Sequence, residues 1–418
     1  MDAIGRRTSA ALPASESIVA NGVSAGSTAL RSAAPKVGRE APVSEPALTV
    51  TNVVPAEKPK KRPRIVGIDM ARGIAMFGMT VVHFVNFRED DGALATFAEL
   101  FRGRAMPLFM MLGGIGVTFL TRRSSTPSRD LLIRAVMLVA LGLFMTEHVP
   151  RLAIVLQAYG LFFILSIVWF RLPSKVLIGL VPLVTAFGAW SYQVIGLPRV
   201  QTRFDELLTV EGPQSLIFDG FYPLFPVGAF FLTGIVLGRI NLNSDRVAAV
   251  LASVGVVAGV GIRVGADFFA SAFNLQTDFG GNAGDGIFHF SRLLDSQGHS
   301  AMPAWVLSAI GTSMAVLGLS LLIAKRAPML VSPLVAVGSF SLTYYVYQAW
   351  LTNVVPPTFE TSTGTEWIFT IAVYVSFIIL ALIYRMFFTS GPFERVLRIG
   401  SGPRLPRTPA EAAITSPA

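Results

Sequence analysis

VGIDMARGIAMFGMTVVHFVNF, residues Val66 to Phe87, decides how this chain folds. The run is 22 residues long, enough to cross a bilayer core of ~30 Å as an α-helix. It nevertheless contains Asp69, Arg72 and His83. On insertion scales an unpaired Asp or Arg near mid-span costs roughly 2.5–3.5 kcal/mol. Side chains that costly normally face a protein interior or a wet cavity and do something there. Arg72 and His83 are eleven residues apart, close to three helical turns, so they share a face about 16 Å apart along the axis. Steps of three and four join Asp69, Arg72, Met76, Met79, His83 and Asn86 into one stripe. The first helix carries a polar seam through the membrane.

The rest of the composition agrees. Hydrophobic residues make up 52% and charged residues only 14%, with a mean hydropathy of +0.60, which excludes an ordinary soluble domain. The net charge of +9 does not indicate nucleic acid, because the basic residues sit in short loops between apolar runs. With no cysteine there is no disulfide, thiol nucleophile or thiolate metal site. Residues 1–63 lack periodicity and a signal-type apolar core, and read as a disordered N-terminal tail. Residues 400–418 read as a second disordered tail, leaving 64–399 as the transmembrane domain.

Ten spans are expected, at about 66–87, 104–121, 131–147, 152–170, 175–197, 221–239, 246–265, 302–324, 331–354 and 367–388. Loops alternate in charge around them. One set holds Lys58 to Arg64, Arg122, Arg123, Arg129, Arg171, Lys175, Arg239, Arg246, Lys325, Arg326, Arg395 and Arg398. The other is acidic, from Glu89, Asp90, Asp91 and Glu99 through Asp205 and Asp219 to Asp295, Glu360 and Glu366. Positive-inside logic then puts both termini in the cytoplasm. The fold class is an all-α integral membrane protein of about ten transmembrane helices. Two outer segments, 198–220 and 266–301, are long enough to be functional or mobile. The second carries His289, Arg292 and His299 and reads as an acceptor-binding lid or as a solvated loop.

Several residues within this frame could carry chemistry. His83, near the outer end of its span, is suited to general-base work on an external hydroxyl or amine, or to carrying an acyl group; the plainer reading is one helix–helix hydrogen bond. Asp69 and Arg72 can pair, either as a structural anchor or with Arg72 holding a cytoplasmic donor's phosphates. Arg102 and Arg104, in FRGRAMPLF (101–109), could bind a sugar or carboxylate or stabilise an oxyanion, or merely snorkel. Gln157 and Tyr159 interrupt the fourth span, and Tyr344, Tyr345, Tyr347 and Gln348 enrich the ninth. Acceptor binding is one role for Gln157, Tyr159, Tyr344 and Gln348; polar glue between helices is the other. No Walker loop, G-x-S-x-G elbow or metal-spaced set of ligands is present.

Together these residues resemble a known superfamily. RIVGIDMARGIAMFGMTVVH (64–83), with Arg72 and His83 in an R-x₁₀-H spacing, is similar to the first helix of the acyltransferase 3 family of bacterial envelope glycan O-acyltransferases. GRAMPLFMMLGGIG (103–116), FYPLFPVGAFFLTGIVLGR (221–239), GSFSLTYYVYQ (338–348) and GPFERVLR (391–398) resemble the YeiB-like family, domain of unknown function 418. That family shares a core with heparan-α-glucosaminide N-acetyltransferase. The resemblance covers about residues 64 to 400. It implies an acyl-CoA donor, acetyl-CoA in the first instance, supplied from the cytoplasm, and no metal. It implies an acceptor beyond the membrane: an envelope glycan, a glycolipid or a secreted metabolite. Arg72, Arg122, Arg123 and Arg129 would then attract the donor's phosphates, and its thioester arm would run along the seam toward His83. The expected location is a multi-pass position in a cell membrane, of the bacterial plasma-membrane type, with a homo-oligomer left open. Two other readings remain: a permease or exporter using the intramembrane charges for proton coupling, and an assembly partner whose seam contacts another membrane protein.

Overall fold

The computed structural model describes residues 64–86, 92–195, 217–218, 221–277, 286–354 and 363–399. Both expected tails, most of the outer segment 198–220 and the middle of the second outer segment lie outside the described residues. Secondary structure in the described residues is helical. The helices are α1 (Val66–Phe84), α2 (Gly92–Glu99), α3 (Ala105–Thr121), α4 (Pro127–His148), α5 (Leu156–Trp169), α6 (Ser174–Val194) and α7 (Leu224–Leu237). They continue with α8 (Asp245–Ala272), α9 (Pro303–Arg326), α10 (Ser332–Ser339), α11 (Ser341–Val354), α12 (Thr363–Phe387) and the short α13 (Pro392–Val396). By length and composition α4, α6, α8, α9 and α12 can each cross a membrane, while α3, α5 and α7 are shorter apolar helices. Their outward faces carry bare apolar side chains such as Val257, Leu183 and Ile368, the pattern of a bundle whose solvent is lipid.

Ten spans were expected, and five helices among the described residues are long and apolar enough to cross a membrane; three further features differ from the sequence expectation. The ninth span is two helices, broken at Phe340 between α10 and α11. Irregular backbone is tolerated at such depth only when protein satisfies it, and here Glu394 does so. Its Oε1 accepts the backbone N–H groups of Leu342 (2.8 Å) and Thr343 (3.1 Å), and its Oε2 accepts the Thr343 hydroxyl (2.6 Å). The GPFERVLR motif therefore caps a buried helix start. The outer segment assigned to 266–301 begins later, because α8 continues to Ala272. The short helix α2 was not foreseen.

Close backbone approaches set the bundle. Gly338 of α10 faces the Asp69 carbonyl, and Gly73 of α1 faces Leu334; a Cβ at either would strike backbone. Gly255 and Gly259 of α8 meet Gly311 and Ala315 of α9 in the same way, the small-residue contact typical of membrane helices. Arginines close helix ends. Arg239 donates to Leu172 O (2.7 Å) and Phe170 O (3.2 Å) after α5, and Arg122 donates to Gly238 O (3.2 Å) after α7. Cations there satisfy the last carbonyls and oppose the negative dipole end. Arg72 lies beside Gly116 of α3, and Gly67 packs on Leu321 of α9, so Arg72, Arg122, Arg239 and Lys325 gather at one end of the bundle.

Candidate functional site

At the other end α1 terminates, and its last turn is held by α12. Glu366, buried, accepts the Asn86 backbone N–H (2.8 Å) and side-chain amide (2.6 Å). His83 thus has a fixed position. It lines a cavity of about 40 Å³, together with Gly103, Tyr222, His299 and Tyr345. The volume holds little more than one water-sized group. The Nδ1 of His83 is buried and has no hydrogen-bond partner among the described residues. Buried polar atoms are nearly always paired, so this one calls for an explanation other than helix–helix bonding. Tyr222 donates its hydroxyl to Ala153 O (3.1 Å), whereas the Tyr345 oxygen accepts the Val155 N–H (3.2 Å). Tyr345's own hydrogen is not committed by that bond.

His299 reaches the cavity because its loop is folded. Gly103 has φ +66, and a Cβ there would strike Gly298 and the Trp305 ring. Trp305 Nε1 donates to Gly103 O (3.0 Å), and the His299 ring packs against Trp305 at 5.7 Å. His299 and Ala301 adopt φ of 68° and 64°, a left-handed backbone that L side chains rarely take. Ser300 anchors the turn by donating to Asp295 O (3.1 Å) and accepting from the Met302 N–H (3.3 Å). A costly local conformation held by surrounding contacts is typical of a functional loop.

At the opposite end of the stripe Asp69 is 2% exposed and pairs with two arginines. Arg64 Nη2 donates to its Oδ1 (2.9 Å), and Arg72 Nη1 approaches the same oxygen at 3.3 Å. The expected i,i+3 pair is therefore present, with Arg64 added. Arg72 remains 25% exposed, and Tyr159 lies within reach of its charge. Between Arg72 and His83 the stripe is filled. Met76 is fully buried and Met79 nearly so, and Met110 and Met111 of α3 belong to the same core. The polar seam is thus interrupted by packed thioether side chains along the path on which a donor arm would run.

Two family models match this chain. Heparan-alpha-glucosaminide N-acetyltransferase, catalytic, matches residues 64–261, and Protein of unknown function (DUF418) matches residues 289–402. The two matches support the resemblance to the YeiB-like family and to the membrane acyltransferases around it. No curated protein matches this chain. His83 and Tyr222 fall in the first matched region, His299 and Tyr345 in the second. The cavity forms where the two regions meet.

The other residues singled out in the sequence do not reach this cavity. None of Arg102, Arg104, Gln157, Tyr159, Tyr344 and Gln348 lines it. Arg102 pairs with Glu99 (3.0 Å) on the surface. Arg104 donates to Ser308 (2.8 Å) and lines a separate cavity. Gln157 donates to Thr146 (3.0 Å), and Tyr159 to Phe109 O (3.3 Å). Tyr344 and Gln348 meet Thr80 of α1, the Tyr344 hydroxyl at 2.6 Å and Gln348 Oε1 at 2.8 Å. For these four the structure shows helix–helix glue. Thr80 escaped notice because a lone Thr in an apolar run carries no pattern. At the Arg72 end, Arg122 is used as a helix cap, while Arg123 and Arg129 are exposed. Among the described residues no group of His, Asp and Glu could hold a metal.

Proposed function

We propose that this protein is a membrane-embedded acyltransferase that moves an acyl group, acetyl in the first instance, from cytoplasmic acyl-CoA to an acceptor across the membrane. The acceptor supplies a hydroxyl or amine, as an envelope glycan, a glycolipid or a secreted metabolite would. The observation that carries this reading is the unpartnered Nδ1 of His83 in a cavity shared with His299. A neutral imidazole there can take the proton as the acceptor oxygen or nitrogen attacks the thioester carbonyl. The C–S bond then breaks, and the proton passes to the departing thiolate. Tyr345 has a hydrogen to offer the oxyanion of the intermediate. Transfer through an acyl-His83 intermediate uses the same groups in two steps.

The donor's phosphates would be met at the other end by Arg72 and the exposed Arg123 and Arg129. Its thioester arm would reach His83 only when Met76 and Met79 move aside, and unbranched Met side chains are the most easily displaced of core residues. The aligned positive-inside pattern supports a cytoplasmic location for the Arg72 end.

The test uses sealed inside-out vesicles with radiolabelled acetyl-CoA outside and a mixed pool of envelope glycans and glycolipids enclosed. The expected result is label on the enclosed material and free coenzyme A outside. Movement of the unmodified acceptor at the same rate without any acyl donor would instead make the protein a permease.

A further inference from the structure

A second, larger cavity of about 350 Å³ opens beside α1 between α3, α8 and α9. Its walls are almost wholly apolar, including Ile74, Leu108, Val260, Val264 and Val316. Two arginines line it, Arg104 at the start of α3 and Arg263 on α8, and they lie near enough for their charges to act on each other. No Asp or Glu lines the cavity to offset them. Ser313 of α9 also lines it; this residue is 2% exposed, and its Oγ is buried without a hydrogen-bond partner among the described residues. Two like charges and an orphaned hydroxyl around an apolar space form an incomplete site.

Charge and depth define what completes it. Arg263 is exposed, and so are Val260, about one turn before it, and the adjacent Val264, so the opening faces the bilayer and not an aqueous funnel. Asp245, at the start of α8, sits at the Arg72 end beside Lys325. Arg263 follows it by 18 residues, about 27 Å along the helix, which spans most of a ~30 Å hydrocarbon core. The guanidinium therefore sits at the depth of the headgroups at the His83 end. Simple snorkelling would account for Arg263 alone. It does not account for the half-buried Arg104 facing the same space, nor for Ser313. A volume near 350 Å³ also lies in the range of genuine ligand sites.

We infer that this cavity binds an anionic phospholipid of the surrounding bilayer, its phosphate on Arg104 and Arg263 and an acyl chain along the apolar groove. Phosphate accepts forked bonds from guanidinium, and the lipid would relieve the repulsion between the two arginines. Phe101 and Ala105 line both this cavity and the one at His83. The headgroup is thus held one side chain away from the imidazole. The site stands whether or not the acyl-transfer reading holds, because it rests on separate residues.

The test is lipid retention, read by native mass spectrometry on the full chain in neutral detergent. Phosphatidylglycerol and phosphatidylcholine are supplied in equal amounts. Wild type is expected to retain phosphatidylglycerol in preference. Arg263→Gln, at an exposed position that packing does not need, should retain about fivefold less. Val260→Trp, which fills the groove and keeps both charges, should lose it as well. Equal retention by wild type and Arg263→Gln overturns the proposal, as does equal retention of the two lipids. Displacement of the lipid by millimolar inorganic phosphate overturns it too, since the arginines would then recognise the anion without the chain.

Discussion

At the residue scale, the burial of polar groups separates glue from chemistry. Thr80 is fully buried and touches Met76 O, Tyr344 and Gln348 within 2.6–2.8 Å. One hydroxyl hydrogen cannot serve both Met76 O and Gln348 well, so the Tyr344 hydroxyl donates to Thr80 and completes the set. Thr80→Val removes that hub and leaves buried partners unpaired, which costs about 1–3 kcal/mol. A clear drop in the thermal midpoint of the detergent-solubilised protein is expected; an unchanged midpoint would mean that water already serves these groups. The Asp69–Arg72 pair was readable from i,i+3 spacing alone. For Tyr344 the same spacing left two roles open, acceptor binding and glue between helices. Ser341, Tyr344 and Gln348 share a helical face, but that face packs on α1, and it is the adjacent Tyr345 that lines the cavity.

At the scale of elements, the break between α10 and α11 is the feature the chain hides best. SPLVAVGSFSLTYY reads as one apolar run, with no proline at the break, and periodicity cannot mark a change of axis. What stabilises the break is 54 residues away in sequence from Phe340, in the Glu394 carboxylate. Glu394→Ala should destabilise the protein by about 1–3 kcal/mol, the range for buried helix-capping groups. Glu394→Gln, able to accept with one oxygen, should lose less. Equal midpoints for all three proteins would show that α11 starts without this cap. The folded outer loop was equally out of reach, because Gly103 and Gly298 meet only after the chain has closed on itself. His299 was visible as a histidine in a long outer segment; its meeting with His83 was not.

At the scale of the molecule, the all-helical fold and its run of apolar helices were legible because both follow from local hydropathy. Which helices touch, and where the stripe is closed, depends on glycine contacts and methionine packing that no single-sequence pattern reports. The sidedness expected from the charges can be tested cleanly, since the chain has no cysteine of its own. Ser125→Cys lies exposed at the Arg122 end and Phe290→Cys exposed in the His299 loop. In intact cells an impermeant maleimide should label Phe290→Cys and spare Ser125→Cys. The reverse pattern would invert the protein and place the arginines on the wrong side for a cytoplasmic donor.

We propose that His83 performs the proton or acyl transfer in the cavity it shares with His299. The direct measurement is the rate of acyl transfer from radiolabelled acetyl-CoA by wild type, His83→Ala and His299→Ala at equal amounts of folded protein. His83→Ala should lose about 10²–10⁴-fold, the usual contribution of a general base, with a smaller loss for His299→Ala. Transfer by His83→Ala at the wild-type rate would contradict the account.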